Sequence, residues 1–242
     1  MSKQILFGLH AVKAALNNPR RRHKVLYLTP KSQILAKELP SASLPPVKVI
    51  SVSELEQKIP PHSVHQQIVL ETSALPSLSI EEICENASDN STLVILDQIT
   101  DPHNVGSILR SCAAFYVEGL IITSDHSSNV DSSIIAKTAS GALEVVPIIE
   151  VTNLASTLNF LKTQGFWCYG LDEAGASTIR EAQLSGKVAL IMGAEGKGLR
   201  RLTKERCDEL IKLPTNPSFP TLNVSNALAI SLYEKQAQSP KA

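Results

Sequence analysis

TLVILDQITDPHNVGSILRSCAAFYVEGLIIT, residues Thr92 to Thr123, reads strand, loop, helix, strand. TLVILD is apolar on both faces, as a strand covered by helices on both sides must be. NVGSILRSCAAFY then switches to helical spacing, and LIIT is a second apolar strand. Outward from this unit the pattern repeats. SSIIAKTAS and LASTLNFLKTQ read as helices, and VVPIIE, FWCYGLD, KVALIMG and ELIKLP as strands. NVSNALAISLYEKQ closes the chain as a helix. Repeated β-α units predict a parallel sheet with ligands beyond the carboxyl ends of its strands. That singles out the loops DQITDPHN, GAEGKGLR and PTNPSFPTLN.

The text before this region differs. HAVKAALNN, SQILAKEL and SELEQKI read as helices, and Val25–Leu28, Val47–Val52 and Gln67–Leu70 as strands. This predicts a small α/β domain over residues 1–75, a Ser/Pro-rich linker over 76–88 and the larger domain over 89–242. The 242 residues carry no net charge, yet residues 1–75 hold ten Lys/Arg against four Glu, and the rest thirteen Lys/Arg against nineteen Asp/Glu. Such opposed halves suit a chain whose first part meets a polyanion. Arg20, Arg21 and Arg22 form its densest cationic run, and Arg200 and Arg201 follow the glycine loop; both clusters are candidate contacts to the phosphates of a nucleic acid such as RNA. No secretory leader or membrane-length apolar run is legible. The scattered cysteines Cys84, Cys112, Cys168 and Cys207 read as buried free thiols of a reducing, cytoplasmic setting. His62 and His65 lack the carboxylate or thiol a metal site needs, so no metal is expected.

Three loops carry candidate chemistry. In GAEGKGLR, Leu199 and Arg200 occupy the positions where a P-loop requires Lys and Ser/Thr, and Arg201 replaces the third glycine of GxGxxG. Nucleotide-triphosphate and dinucleotide binding are therefore disfavoured. Glu195 between glycines is the unusual feature. In the second loop, Gly106, Arg110 and Ala113 share one helix face. In the third, Thr221, Asn223, Ser225 and Asn226 exceed what capping one helix requires.

Together NVGSILRSCAAF, ALIMGAEGKGL and LPTNPSFPTLNVSNALAISLYE resemble the three motifs of the SpoU (TrmH) branch of the SPOUT RNA methyltransferases, with Thr221 where the family usually has Ser. FGLHAVKAALNNPRRRHKVLYL and SVHQQI resemble the small substrate-binding domain of members that modify 23S rRNA. The resemblance implies an α/β fold whose C-terminal part threads a trefoil knot, a homodimer, and S-adenosylmethionine as methyl donor to a ribose 2′-hydroxyl, guanosine in the best-known case. It implies cofactor contacts at Gly193, Ala194, Glu195, Gly196, Ile211, Leu213 and Leu222. It implies catalytic roles for Asn104, Arg110, Glu195 and Asn223, with Arg110 also touching RNA. The same reaction on tRNA and a catalytically silent RNA-binding assembly protein are the alternatives.

Overall fold

The computed structural model describes residues 3–40, 44–61, 63–124, 133–219 and 221–238. His62, Ser132 and Pro220, all used in the sequence reading, lie outside the described residues. The chain forms two units, Met1–Pro76 with Asn129–Val145, and Ser77–Ser128 with Val146–Ala242.

In the first unit, β1 (Lys3–Phe7), β2 (His23–Leu28), β3 (Val47–Val49) and β4 (Ile68–Ser73) form a sheet in the order β1-β4-β2-β3. β4 lies antiparallel to both neighbours, pairing Leu70 with Leu6 and with Leu26, while β3 joins β2 in parallel. Phe7, Tyr27, Leu55, Ile59 and Val69 pack on one another as its core. Three local readings change. Lys3–Phe7 is a strand the sequence reading missed. SQILAKEL folds as a 3₁₀ helix, Ser32–Glu38. The strand expected over Val47–Val52 stops at Val49, because Ser51 caps α2 (Val52–Glu56). Its hydroxyl accepts from the Glu54 N–H at 3.2 Å, and the Glu54 carboxylate accepts from the Ser51 N–H at 2.8 Å. This reciprocal cap satisfies two donors that a helix start leaves open.

α1 (Leu9–Leu16), α5 (Ser133–Ala139) and a 3₁₀ turn, Ala142–Glu144, complete this unit. Gly141, at φ +97°, admits no side chain: a Cβ there would stand 2.7 Å from the Ala14 Cβ. Beside it lies a buried fork-to-fork ion pair. Arg21 Nε and Nη2 each donate to the Glu144 carboxylate at 2.7 Å, and Nη1 donates to Gln4 Oε1 and to the Ser73 carbonyl. The two side chains are 0% and 6% exposed. Arg21 is therefore committed inside the protein and cannot reach a phosphate, which corrects the sequence reading of the Arg20–Arg22 run. Neighbouring His23 bonds to Thr72 Oγ1 at 3.2 Å, and burial together with the Arg21 charge lowers its pKa below 6.5. A depressed folded value disfavours the imidazolium, so this residue's contribution is present above pH 6.5 and lost as pH falls through the folded value. Urea midpoints measured from pH 7.5 to 5 should fall more steeply for the parent than for His23→Gln.

In the second unit, β5 (Thr92–Asp97), β6 (Gly119–Thr123), β7 (Ile148–Val151), β8 (Trp167–Leu171), β9 (Ser177–Thr178), β10 (Val188–Gly193) and β11 (Glu209–Lys212) form one sheet, order β7-β6-β5-β10-β8-β11-β9. Every neighbouring pair is parallel. The covered parallel sheet expected from the apolar strands is present, with Leu93, Ile95, Ile121, Ala189 and Ile191 in its core against Leu154, Leu158 and Leu161. The last three belong to α6 (Leu154–Thr163). α4 (Pro102–Ala114) packs against α8 (Val224–Gln238). Two short helices, α3 (Ile80–Glu85) and α7 (Arg201–Arg206), were not foreseen. Cys84, Cys112 and Cys168 are buried, and burial pushes the Cys168 and Cys207 thiols up to about 12. They stay protonated and unreactive at neutral pH.

Candidate functional site at the carboxyl ends of the strands

Because the strands are parallel and β5 is flanked by β10, the loops after β5 and β10 leave the same edge of the sheet. Gly193 pairs with Asp97 at that edge. A Cβ on Gly193 would lie 2.2 Å from the Gly198 carbonyl carbon and 2.4 Å from the Leu199 nitrogen, so only glycine lets the loop fold back on its own strand. The turn closes through the Gly198 N–H donating to the Ala194 carbonyl at 2.8 Å, with Gly196 and Gly198 at positive φ. The N–H groups of Glu195, Gly196 and Lys197 make no hydrogen bond to any described residue. Successive free N–H groups at a strand end form a concavity suited to acceptor atoms.

Asp97 anchors the far side of the loop. It is fully buried and accepts from the Arg200 backbone N–H at 3.0 Å and from Arg200 Nε at 2.6 Å. Sequence reasoning missed Asp97, although a lone carboxylate ending an apolar strand is a legible signal of a buried, partnered acid. It also assigned Arg200 and Arg201 to RNA. The Arg200 Nε is engaged by Asp97, Arg201 pairs with Glu205 one turn on at 2.6 Å, and Lys204 pairs with Asp172.

Three of the four expected catalytic side chains meet. Asn223 Nδ2 donates to Glu195 Oε1 at 2.7 Å and to Asn104 Oδ1 at 3.0 Å, and Asn104 Nδ2 lies 3.3 Å from the same carboxylate oxygen. Asn223 also caps α8, since its Oδ1 accepts from the Ser225 N–H at 2.9 Å and the Ser225 hydroxyl at 2.6 Å. One side chain thus caps a helix with its oxygen and joins two loops with its nitrogen. Asn104 is held in the first turn of α4, where Asp101 accepts from the His103 N–H and Pro102 starts the helix. Arg110 stands about 9 Å farther along that axis. It is exposed and makes no hydrogen bond or ion pair with a described residue.

The expected cofactor residues occupy the same edge. Gly193 and Ala194 are half-buried and Gly196 exposed, Ile211 is buried within β11, Leu213 directly follows that strand, and Leu222 stands 42% exposed beside Asn223. Of the arginines of the first unit, Arg20 is exposed with Nη2 donating to the Glu144 carbonyl, and Arg22 is exposed. The His65 Nδ1 accepts from the Gln67 N–H at 3.0 Å. Among the described residues no group of three His, Cys, Asp or Glu converges.

Comparison with known proteins agrees with this geometry. Residues 91–233 match the model of the SpoU rRNA Methylase family, and residues 5–78 that of the RNA 2'-O ribose methyltransferase substrate binding domain. A 23S rRNA (guanosine-2'-O-)-methyltransferase RlmB of Vibrio parahaemolyticus is 37% identical, covering 98% of both chains. The protein of that name from Pseudomonas aeruginosa is 39% identical over 95% of this chain and 94% of its own. In fold, the chain matches the SpoU methyltransferase AviRb of Streptomyces viridochromogenes, solved with AdoMet, at TM-score 0.84 and 22% identity over 98% of this chain and 90% of that one. An AdoMet-bound rRNA methyltransferase from Sinorhizobium meliloti matches at TM-score 0.80 and 22% identity, over 97% of this chain and 87% of that one. With both of its parts matched and the motif residues gathered at one sheet edge, this chain belongs to the SpoU rRNA methylase family.

Proposed function

We propose that this protein transfers a methyl group from S-adenosylmethionine to the ribose 2′-hydroxyl of a guanosine in 23S rRNA. The observation that carries this reading is the convergence of Asn104, Glu195 and Asn223 on the open edge of the parallel sheet. The residues at that edge fit the methyl donor. The N–H groups of 195–197, without a partner among the described residues, suit the acceptors of a ribose and purine, and exposed Leu222 supplies an apolar wall for adenine. Gly193, Ala194, Gly196, Ile211 and Leu213 complete the lining. Bound there, S-adenosylmethionine supplies a methyl group already activated by its sulfonium.

The chain's own residues then have a positioning task, since a ribose hydroxyl is a poor nucleophile until its proton is drawn away. Asn104, Glu195 and Asn223 form a fixed polar cluster that orients the sugar. Such positioning contributes about 7–11 kcal/mol in favourable cases. Arg110, exposed and without a partner among the described residues, holds the ribose and its neighbouring phosphate and stabilises the developing alkoxide. A guanidinium does not give up its proton at neutral pH, so its role is electrostatic. Asn223→Ser separates the two functions of that residue. A serine still caps the helix, so thermal stability should change by less than about 1 kcal/mol. Loss of the Nδ2 donor should lower single-turnover methylation tenfold or more.

Residues 1–75 are the RNA-binding part, through exposed Arg20, Arg22 and Lys24 rather than Arg21. The RNA is gripped mainly through phosphate, so affinity should fall steeply between 50 and 200 mM salt, by about tenfold or more for a few contacts. A homodimer is supported by apolar side chains left in solvent on α8 and just after α4, with Tyr233 66% and Tyr116 80% exposed. The C-terminal knot and a cytoplasmic location belong to the same reading; no helix among the described residues is long and apolar enough to cross a membrane. The test is to incubate purified protein with labelled S-adenosylmethionine and 23S rRNA from cells lacking the protein, then map ribose methylation. One labelled guanosine is expected. Label only in tRNA, or none with intact S-adenosylmethionine binding, overturns the assignment.

A further inference from the structure

β10 runs between β5 and β8, and an acid stands at the carboxyl end of each neighbour. Asp97 is the last residue of β5, and Asp172 directly follows β8. Each acid takes one basic residue of the segment after the glycine loop. Asp97 holds Arg200 as described above, with the acid's side chain 0% exposed and the arginine's 40%. Asp172 Oδ2 accepts from Lys204 Nζ at 2.6 Å, one turn farther along, with the acid's side chain 10% exposed. Asp172 is itself fixed, since its N–H donates to the Ile211 carbonyl and its Oδ1 accepts from the Ala174 N–H, each at 3.0 Å. Asp97 fastens both feet of the loop. Its backbone pairs with Gly193, where the loop begins, and its side chain accepts from the Arg200 N–H, where the loop ends. The crown lacks such support: a Cβ on Gly196 would meet nothing within 4 Å, and the N–H groups of 195–197 have no partner among the described residues. The Glu195 side chain is tied separately, to Asn104 and Asn223.

We propose that Asp97–Arg200 and Asp172–Lys204 form a two-sided clamp that shapes the glycine loop in advance for the methyl donor, which makes these four side chains positioning residues for S-adenosylmethionine. The proposal rests on the functional reading above. Hydrogen bonds between charged groups are the strong ones, and a carboxylate shielded from water holds its partner more firmly than an exposed one. A loop fixed beforehand loses less freedom when its ligand arrives, so the clamp acts on affinity. It also accounts for two of the cations after the loop, Arg200 and Lys204, as partners of the sheet's own acids. Cutting the clamp should weaken donor binding and spare the transfer step, because Glu195 keeps its ties to Asn104 and Asn223.

Four variants of the full chain test this. Asp97→Asn with Arg200→Gln removes one ion pair without leaving a buried charge alone. Lys204→Met cuts the other pair and keeps the apolar stem, and Lys204→Arg restores it. Lys187→Met is the control, since it removes an ammonium that lies over the Phe166 ring just before the opposite end of β10. By calorimetry, the Kd for S-adenosylmethionine should rise tenfold or more in the first two, and stay within threefold of the parent in Lys204→Arg and Lys187→Met. Single-turnover methylation at saturating S-adenosylmethionine should stay within threefold throughout. Without ligand, amide order parameters at Gly196 and Lys197 should fall from about 0.85 in the parent to below about 0.6 in the first two. Unchanged affinity in Lys204→Met overturns the clamp, and that result stands even where the double variant fails to fold. Equal weakening by Lys187→Met overturns it in favour of general destabilisation. Loss of 23S rRNA affinity with normal S-adenosylmethionine binding overturns it by making these cations phosphate contacts. A parent that binds S-adenosylmethionine yet methylates no 23S rRNA would instead overturn the functional reading and leave the clamp intact.

Discussion

Single-turnover methylation by Arg110→Ala is expected to fall about a hundred- to a thousandfold, the usual effect of removing one donor aimed at developing negative charge. Arg110 is the only expected catalytic residue without a hydrogen bond or ion pair among the described residues, so its removal leaves no buried group orphaned. Stability and S-adenosylmethionine affinity should therefore match the parent, and the loss should lie in the chemical step. Arg110→Lys is the sharper variant. Lysine restores the charge but not the planar fork that engages a sugar oxygen and a phosphate together. It should stay at least tenfold below the parent. A lysine enzyme as fast as the arginine enzyme would remove the fork from the mechanism and leave only a point charge.

The second large effect is on stability. Glu144→Ala leaves the Arg21 guanidinium buried with half its partners gone, and should cost about 3–5 kcal/mol in the first unit. Replacing both residues, as Arg21→Met with Glu144→Met, should recover most of that loss, since a buried ion pair and an apolar pair of similar volume are often near equal in stability. Chemical denaturation of both variants, with hydrogen exchange read at Leu26 and Leu70 in the sheet, gives the comparison. A cost below about 1 kcal/mol for Glu144→Ala would mean that water reaches the pair.

The parallel sheet was legible in the sequence because its strands are apolar on both faces, a pattern that nothing but coverage by helices explains. The trio Asn104, Glu195 and Asn223 was legible only through motif resemblance, since 91 residues separate the first two and 28 the last two. Arg21 was misread for a related reason. Three adjacent arginines look alike in sequence, and what distinguishes the middle one is Glu144, 123 residues away. The short helix at Ile80 carried its own signal, Ser-x-x-Glu at 79–82, which the Ser/Pro-rich composition of the surrounding text obscured, whereas the same signal at 51–54 precedes SELEQKI, which was read as a helix. Lys3–Phe7 gave too short a run to distinguish from an extended terminus.

Glu144 lies on a stretch that the chain inserts between two neighbouring strands of the larger sheet, yet it completes the smaller unit. The smaller unit is thus not a portable cassette. A gene cut after codon 76 would encode Arg21 without its counter-ion and Ala14 without its cover at Gly141. Exchanges of the amino-terminal part between relatives should succeed only when residues 129–145 travel with it, so these two distant segments are constrained to be inherited together.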